Sequence, residues 1–225
     1  MDAELELYAQ QHSSFGDPLL DELLRTAYVR LLQPRMVCGA TQAGLLSMLI
    51  KLSGAKRVLE LGAYSGYSTI AMAMALKPVA GEIDSIECDA EMIHFLSPFV
   101  ARSGCAERIH IHHGQALELM PVLLAQQDYD LVYIDANKRQ YPDYYQLLRK
   151  HLRPGTIILA DNTLWDGKVA APTTHHDLQL EGIQHFNELV AQDSGVEQLL
   201  LPLRDGLTII RILSCLLYTS DAADE

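Results

Sequence analysis

The sequence predicts an α/β fold: a Rossmann-like, doubly wound sheet, mostly parallel, with an antiparallel terminal hairpin. Three observations carry this expectation. Short runs rich in Val, Ile and Leu alternate with longer helix-like segments through the middle of the chain, as successive βαβ units require. The first run stops at Glu60-Leu61-Gly62 and enters an alanine-rich segment through a turn of small residues. Near the end, two apolar runs flank Arg204-Asp205-Gly206, where Asp-Gly is a hairpin turn signal.

Taken in order, strands are expected at 57–61, 83–87, 108–112, 129–135 and 156–161. Helices are expected between and after them at 67–77, 90–103, 116–127, 140–151 and 177–193. Ser65 or Ser68 can cap the first, and Pro154-Gly155 follows the fourth. Ahead of the first strand, 18–33 and 41–53 have the spacing of amphipathic helices. The loop Met36-Val37-Cys38-Gly39 between them is placed to cover the strand ends. A single domain over 1–212 with an N-terminal helical cover results. Residues 213–225, "LSCLLYTSDAADE", continue neither a strand nor a helix pattern and read as a disordered or artificially appended tail.

Composition narrows the function classes. A chain of 225 residues with 49% hydrophobic content suits one α/β domain with a full core. A net charge of -12 disfavours general binding to a phosphate backbone, which needs clustered Lys and Arg. Cys38, Cys88, Cys105 and Cys215 form no CxxC pair and no metal spacing, which suits free thiols in a reduced, cytoplasmic chain. The N-terminus "MDAELELYAQ" has no basic region followed by an apolar run, and no stretch reads as the ~18 apolar residues of a membrane span. Neither export nor membrane insertion is expected.

In an open parallel sheet, ligands bind beyond the carboxyl ends of the strands, and the first strand-to-helix turn is the usual cradle. The spacing Gly62-Ala63-Tyr64-Ser65-Gly66 is neither GxGxxG nor GxSxG, so a dinucleotide pyrophosphate or a hydrolase elbow fits poorly. Glu60, just before the turn, would repel phosphate and attract an amino group or a sulfonium, which points to S-adenosylmethionine. Glu87 ends the second strand, where a carboxylate can accept both hydroxyls of a ribose.

Two further strands end in acids: "VYIDANK" gives Asp135 and Lys138, and "ILADN" gives Asp161 and Asn162. Two carboxylates and an amide oxygen make a hard, all-oxygen set suited to Mg²⁺. Lys138 stands close enough to such a cation to act as a base, and Trp165 can wall a planar substrate. Each also has a plain structural use: Asp161-Asn162 as a turn, Lys138 as a solvated loop lysine, Trp165 as hydrophobic cover, Glu60 and Glu87 as ordinary strand-end acids. His110, His112 and His113 lie on or beside a strand, where neighbours alternate sides, and His175-His176 lie in a polar loop; no cation is expected at either group.

At this point the chain resembles a known family, the cation-dependent class I O-methyltransferases that include catechol and caffeoyl-coenzyme A O-methyltransferases. The resemblance covers about residues 20–211 and rests on "VLELGAYSGYSTIAMA", "YDLVYIDANKRQYPDYY", "ILADNTLWDGKV" and "LPLRDGLTI", in order and spacing. It implies the class I methyltransferase fold and Mg²⁺ bound by Asp135, Asp161 and Asn162, with Lys138 as general base. It implies S-adenosylmethionine contacts from Glu60, Gly62, Ser68, Glu87 and Asp135, with Cys38 in the covering loop and Gln115-Ala116 near the adenine. Lys138, Asn162 and Trp165 would meet a small phenolic acceptor with neighbouring hydroxyls, catechol-like or hydroxycinnamoyl-coenzyme A-like, and a cytoplasmic homodimer would be the working form.

Three competing functions stay in view. An NAD-dependent oxidoreductase on the same sheet must explain the missing GxGxxG and the surplus of strand-end acids. A non-catalytic cofactor-binding protein has no need of Asp135, Lys138, Asp161 and Asn162 together. A tRNA hydroxyuridine O-methyltransferase of the same family sits badly with the acidic charge.

Overall fold

The computed structural model describes residues 3–171 and 176–214. Seven strands form one sheet: β1 Arg57–Leu61, β2 Glu82–Glu87, β3 Ile109–His113, β4 Leu131–Ile134, β5 Ile157–Asp161, β6 Val196–Leu201 and β7 Leu207–Ile212. Their order is β3-β2-β1-β4-β5-β7-β6. The first five strands pair in parallel. The last strand, β7, runs antiparallel between β5 and β6. The hairpin turn places Arg204 at φ 52° and Gly206 at φ 89°, and of the two only the glycine favours a positive φ.

The helices are α1 Ala3–Gln11, α2 Pro18–Arg30, α3 Gly39–Ser53, α4 Tyr67–Leu76, α5 Ala90–Arg102, α6 Ala116–Gln126, α7 Tyr141–His151 and α8 Leu178–Gln192. Only α1 has no counterpart in the sequence reading. Side-chain caps fix three helix starts: Asp17 accepts from Leu19 N at 2.8 Å, Asp89 from Glu91 N at 2.8 Å, and Asp177 from Gln179 N at 3.0 Å. The serine cap expected on α4 is not formed. Gly66 occupies that position in a left-handed conformation, and the Ser68 hydroxyl is engaged elsewhere.

Helices cover both faces of the sheet. On one face Leu20, Leu23, Leu46, Ile50, Ile70 and Leu76 pack against Val58, Ile83 and Leu131. Helix α4 is buried on nearly every side between α3 and the strands, which explains its run of alanines and apolar residues. On the other face Met120, Tyr141, Leu148, Ile183 and Phe186 pack against Leu59, Val132 and Ile158. Phe186 receives the edges of Tyr141 and Tyr145, with centroids 5.5 and 5.8 Å away.

Two segments bear on the membrane and tail expectations. The segment Pro34–Ser53, with mean hydropathy 1.3, is long and apolar enough to span a bilayer by composition alone. In the fold its helix, α3, instead lays Ala43, Leu46 and Ile50 into the core against α4. The proposed tail at 213–225 lies outside the described residues from 215 onward. Leu213 and Ser214 themselves are held, both donating their amides to the Gly195 carbonyl.

Candidate active site

Parallel strands deliver their carboxyl ends to one edge of the sheet, and a cavity of about 630 Å³ lies there. Its wall brings together Cys38, Gly62, Glu87, Ala116, Asp135, Lys138, Asp161, Asn162 and Trp165. Gly62, at φ 94°, is where the first turn passes the end of β4. A Cβ there would stand 2.2 Å from the Asp135 carbonyl oxygen, so only glycine allows the approach.

Glu60 and Ser68 do not line this cavity. Glu60 is fully buried, and Ser68, Thr69 and Ser85 direct their hydroxyls to its carboxylate, each at 2.5 Å. Burial dominates these hydrogen bonds and raises the Glu60 pKa to about 7. The acid therefore stands behind the glycine turn, off the cavity wall.

Glu87 does face the cavity. Its two oxygens accept from Tyr64 N at 2.7 Å and Asp89 N at 2.8 Å, which orients the carboxylate while leaving lone pairs for a diol. Cys38 immediately precedes α3 and is buried, and burial with the nearby Asp161 carboxylate holds its thiol well above the usual range. Trp165 is fixed by its indole N–H, which donates to Asp177 at 3.2 Å.

Lys138 is buried and donates to Asp135 Oδ1 at 2.6 Å and to the Tyr141 hydroxyl at 2.8 Å. Tyr141 is in turn within hydrogen-bond reach of the Ile134 and Asp161 carbonyls, at 3.1 and 3.0 Å, at the ends of β4 and β5. Asp161 accepts from the Tyr133 hydroxyl at 3.2 Å and from Asn162 N at 2.9 Å. Burial, then the Asp135 carboxylate, push its pKa up to about 6.

The sequence model of a family described as O-methyltransferase matches residues 10–213. The chain belongs to the O-methyltransferase family. Tricin synthase 1 of Oryza sativa subsp. japonica is 36% identical over 190 residues, covering 79% of this chain and 75% of that protein. Caffeoyl-CoA O-methyltransferase 1 of Arabidopsis thaliana is 34% identical over 192 residues, covering 80% and 72%. Among solved structures, the O-methyltransferase TomG of Streptomyces achromogenes, in complex with SAM, superposes with a TM-score of 0.86 at 30% identity, covering 94% of this chain and 99% of that one. The fold is that of the class I methyltransferases, and the chain is an O-methyltransferase of the caffeoyl-CoA type.

For this O-methyltransferase, the fit to a cation can be judged from the donors. Among the described residues no group of three or more His, Cys, Asp or Glu side chains forms a cation site. Asp135 and Asp161 with the Asn162 amide nonetheless give an all-oxygen set on one cavity wall. These residues fit a hard divalent ion. Elsewhere, His112 Nε2 contacts Asp84 at 2.6 Å, His110 Nε2 contacts Glu82 at 3.3 Å, and His176 Nδ1 contacts Glu181 at 2.6 Å. None of these histidines lines the cavity, and His175 lies outside the described residues.

Sequence reading misses several residues that shape the site. Gln42 on α3 is buried and donates to the Tyr133 hydroxyl at 2.9 Å, tying the helical cover to the Asp161 partner. Arg35, Tyr144, Gln179 and Arg204 join the wall from loops and helices far apart in the chain. The one local signal was the arginine inside "LPLRDG", which reads as a turn and nothing more.

Proposed function

We propose that this O-methyltransferase moves the methyl group of S-adenosylmethionine to one hydroxyl of a small phenolic acceptor bearing two neighbouring hydroxyls, with Mg²⁺ or a similar divalent cation. The observation that carries this is the gathering of Asp135, Lys138, Asp161 and Asn162 on the wall of one cavity that also holds Glu87 and the Gly62 turn. The SAM in the TomG complex supports the same donor here.

Glu87, oriented by two backbone amides, is placed to accept both ribose hydroxyls, and Gly62 lets the ligand approach the backbone. The donor carries an electrophilic methyl on a sulfonium. Held by Asp135, Asp161 and Asn162, a hard cation would gather the two acceptor oxygens and make one hydroxyl more acidic. Lys138 Nζ, set beside Asp135, takes that proton, and the Tyr141 hydroxyl keeps Nζ aimed into the site. The acceptor oxygen forms its bond to the methyl carbon as the carbon–sulfur bond breaks and the neutral thioether leaves. Trp165 supplies a flat wall for the ring. The net charge of -12 favours this small acceptor over tRNA.

The test is transfer of labelled methyl from S-adenosylmethionine to a panel of catechols, with Mg²⁺ or with EDTA, in the wild type and Asp161→Ala. Loss of turnover with EDTA and in the variant is expected. Full turnover in EDTA would remove the cation from the reaction, and methylation of tRNA in preference to every catechol would overturn the acceptor.

A further inference from the structure

The cavity carries more positive charge than the methyl-transfer chemistry uses. Of its acids, Glu87 is held by backbone amides, and Asp135 and Asp161 belong to the candidate cation site. Two arginines remain on the same wall, Arg35 and Arg204. Neither has an ion pair among the described residues, in a chain whose acids outnumber its Lys and Arg by 29 to 17.

Arg204 is placed with some care. It sits in the hairpin between β6 and β7 at φ 52°, a conformation that costs energy for any residue but glycine. Its guanidinium reaches back across the cavity cover and donates from Nη1 to Gln42 Oε1 at 3.3 Å and from Nη2 to the Val37 carbonyl at 3.4 Å. Both acceptors are neutral and both bonds are long, so they orient the group without neutralising it. Its other N–H donors have no partner among the described residues.

The chain of contacts also says which end of the cavity Arg204 serves. Gln42 donates to Tyr133 at 2.9 Å and Tyr133 to Asp161 at 3.2 Å, so three hydrogen bonds connect the guanidinium to a candidate cation ligand. Among the described residues no hydrogen bond joins Arg204 to Glu87 or Ala116, at the expected ribose and adenine positions, and its bond to Val37 sets it beside Cys38 in the covering loop. Resting on the methyl-transfer reading above, we infer that Arg204, assisted by Arg35, forms an anion subsite for a carboxylate carried by the acceptor itself. Both arginines are exposed to solvent at the cavity mouth, and a planar guanidinium matches a carboxylate through two parallel N–H···O bonds. The preferred acceptor is then an aromatic acid with two neighbouring hydroxyls rather than a neutral catechol.

The test compares 3,4-dihydroxybenzoate with 3,4-dihydroxybenzamide, which keeps the ring and both hydroxyls and removes the charge. Their kcat/KM values are measured with S-adenosylmethionine and Mg²⁺ for the wild type, Arg204→Gln, Arg204→Lys and Arg35→Gln. Binding of both compounds is measured by calorimetry with S-adenosylhomocysteine present and no metal added. The wild type should favour the acid by at least about tenfold, and Arg204→Gln should erase that ratio mainly through KM, with Arg204→Lys in between. Arg204→Gly, suited to the backbone conformation at that position, should erase the ratio equally and guards against a folding defect in the glutamine variant. An acid-to-amide ratio near one in the wild type, or unchanged in Arg204→Gln and Arg204→Gly, would overturn the subsite while leaving methyl transfer in place. With caffeoyl-coenzyme A assayed as a third acceptor, a loss confined to it would overturn the subsite in favour of a phosphate contact. Arg204-dependent binding of the acid with no turnover of any diol would keep the subsite and sink the methyl-transfer reading.

Discussion

Gly182 of α8 packs directly on the backbone of Lys138: a Cβ at this glycine would stand 2.4 Å from the Lys138 carbonyl oxygen and 2.8 Å from Arg139 Cα. The lysine segment has no strand of its own to hold it, so this contact sets its height above the sheet. Gly182→Ala must push the two backbones apart. A shift of a fraction of an ångström at Nζ should lower kcat about tenfold or more, because proton transfer depends on near-attack geometry. S-adenosylhomocysteine affinity should change little, since Gly62 and Glu87 lie on other elements. Stopped-time methyl transfer beside calorimetry checks this, and a wild-type kcat would show that α8 does not position the lysine.

Tyr141 joins Lys138 to the ends of two strands. Its hydroxyl accepts from Nζ at 2.8 Å and lies near the carbonyls of Ile134 and Asp161. Tyr141→Phe leaves buried polar groups without this partner, so a stability loss of about 1–3 kcal/mol is expected in urea unfolding. The variant should also lose turnover, but less than Lys138→Met, for which the removal of a general base predicts about 10²–10⁴-fold. Equal losses in the two variants would contradict the division of roles.

The strand-end acids are legible in the sequence because parallel pairing has a single geometric consequence: Asp135 and Asp161, each at the end of an apolar run, must reach the same edge. Glu60 obeys the same rule of position and still escapes it. It pairs in register with Ser85 of β2, while Ser68 and Thr69 descend on it from α4, and that enclosure of hydroxyls depends on three separate segments. The cap assigned to Ser68 fails for the same reason, since a tertiary acceptor outcompetes the helix terminus. Arg204 and Gln42 stand 162 residues apart, so no local pattern can announce their contact.

Away from the site, Arg149 is buried and donates to Asp193 from Nε at 2.6 Å, from Nη2 at 3.2 Å, and to the Ser214 carbonyl at 3.0 Å. Tyr145 adds a bond to the same carboxylate at 2.7 Å. The group ties α7 to the turn after α8 and to the end of β7. Asp193→Ala leaves a buried guanidinium without its counter-charge, which should cost about 3–5 kcal/mol. For a chain of this size that is a fall of roughly 10 °C in melting temperature. Methyl transfer at 20 °C should persist, and a melting temperature within a degree or two of wild type would show that the ion pair is dispensable.

Glu60 makes stability depend on pH in a direction opposite to that of most carboxylates. Burial raises its pKa from 4.5 to about 7, so between those values the folded chain holds a proton that the unfolded chain has released. Stability contributed by this group therefore falls as pH rises through that window and levels off above about 7. The full swing is about 3 kcal/mol. Glu60→Gln keeps the shape, can still bond Ser68, Thr69 and Ser85, and cannot ionise. Urea unfolding of both proteins from pH 4.5 to 8 should show the wild type losing ground to the variant as pH rises, by up to that amount. Contributions of the other acids cancel in the difference. Parallel curves would mean that the three hydroxyls stabilise the ionised carboxylate enough to offset its burial.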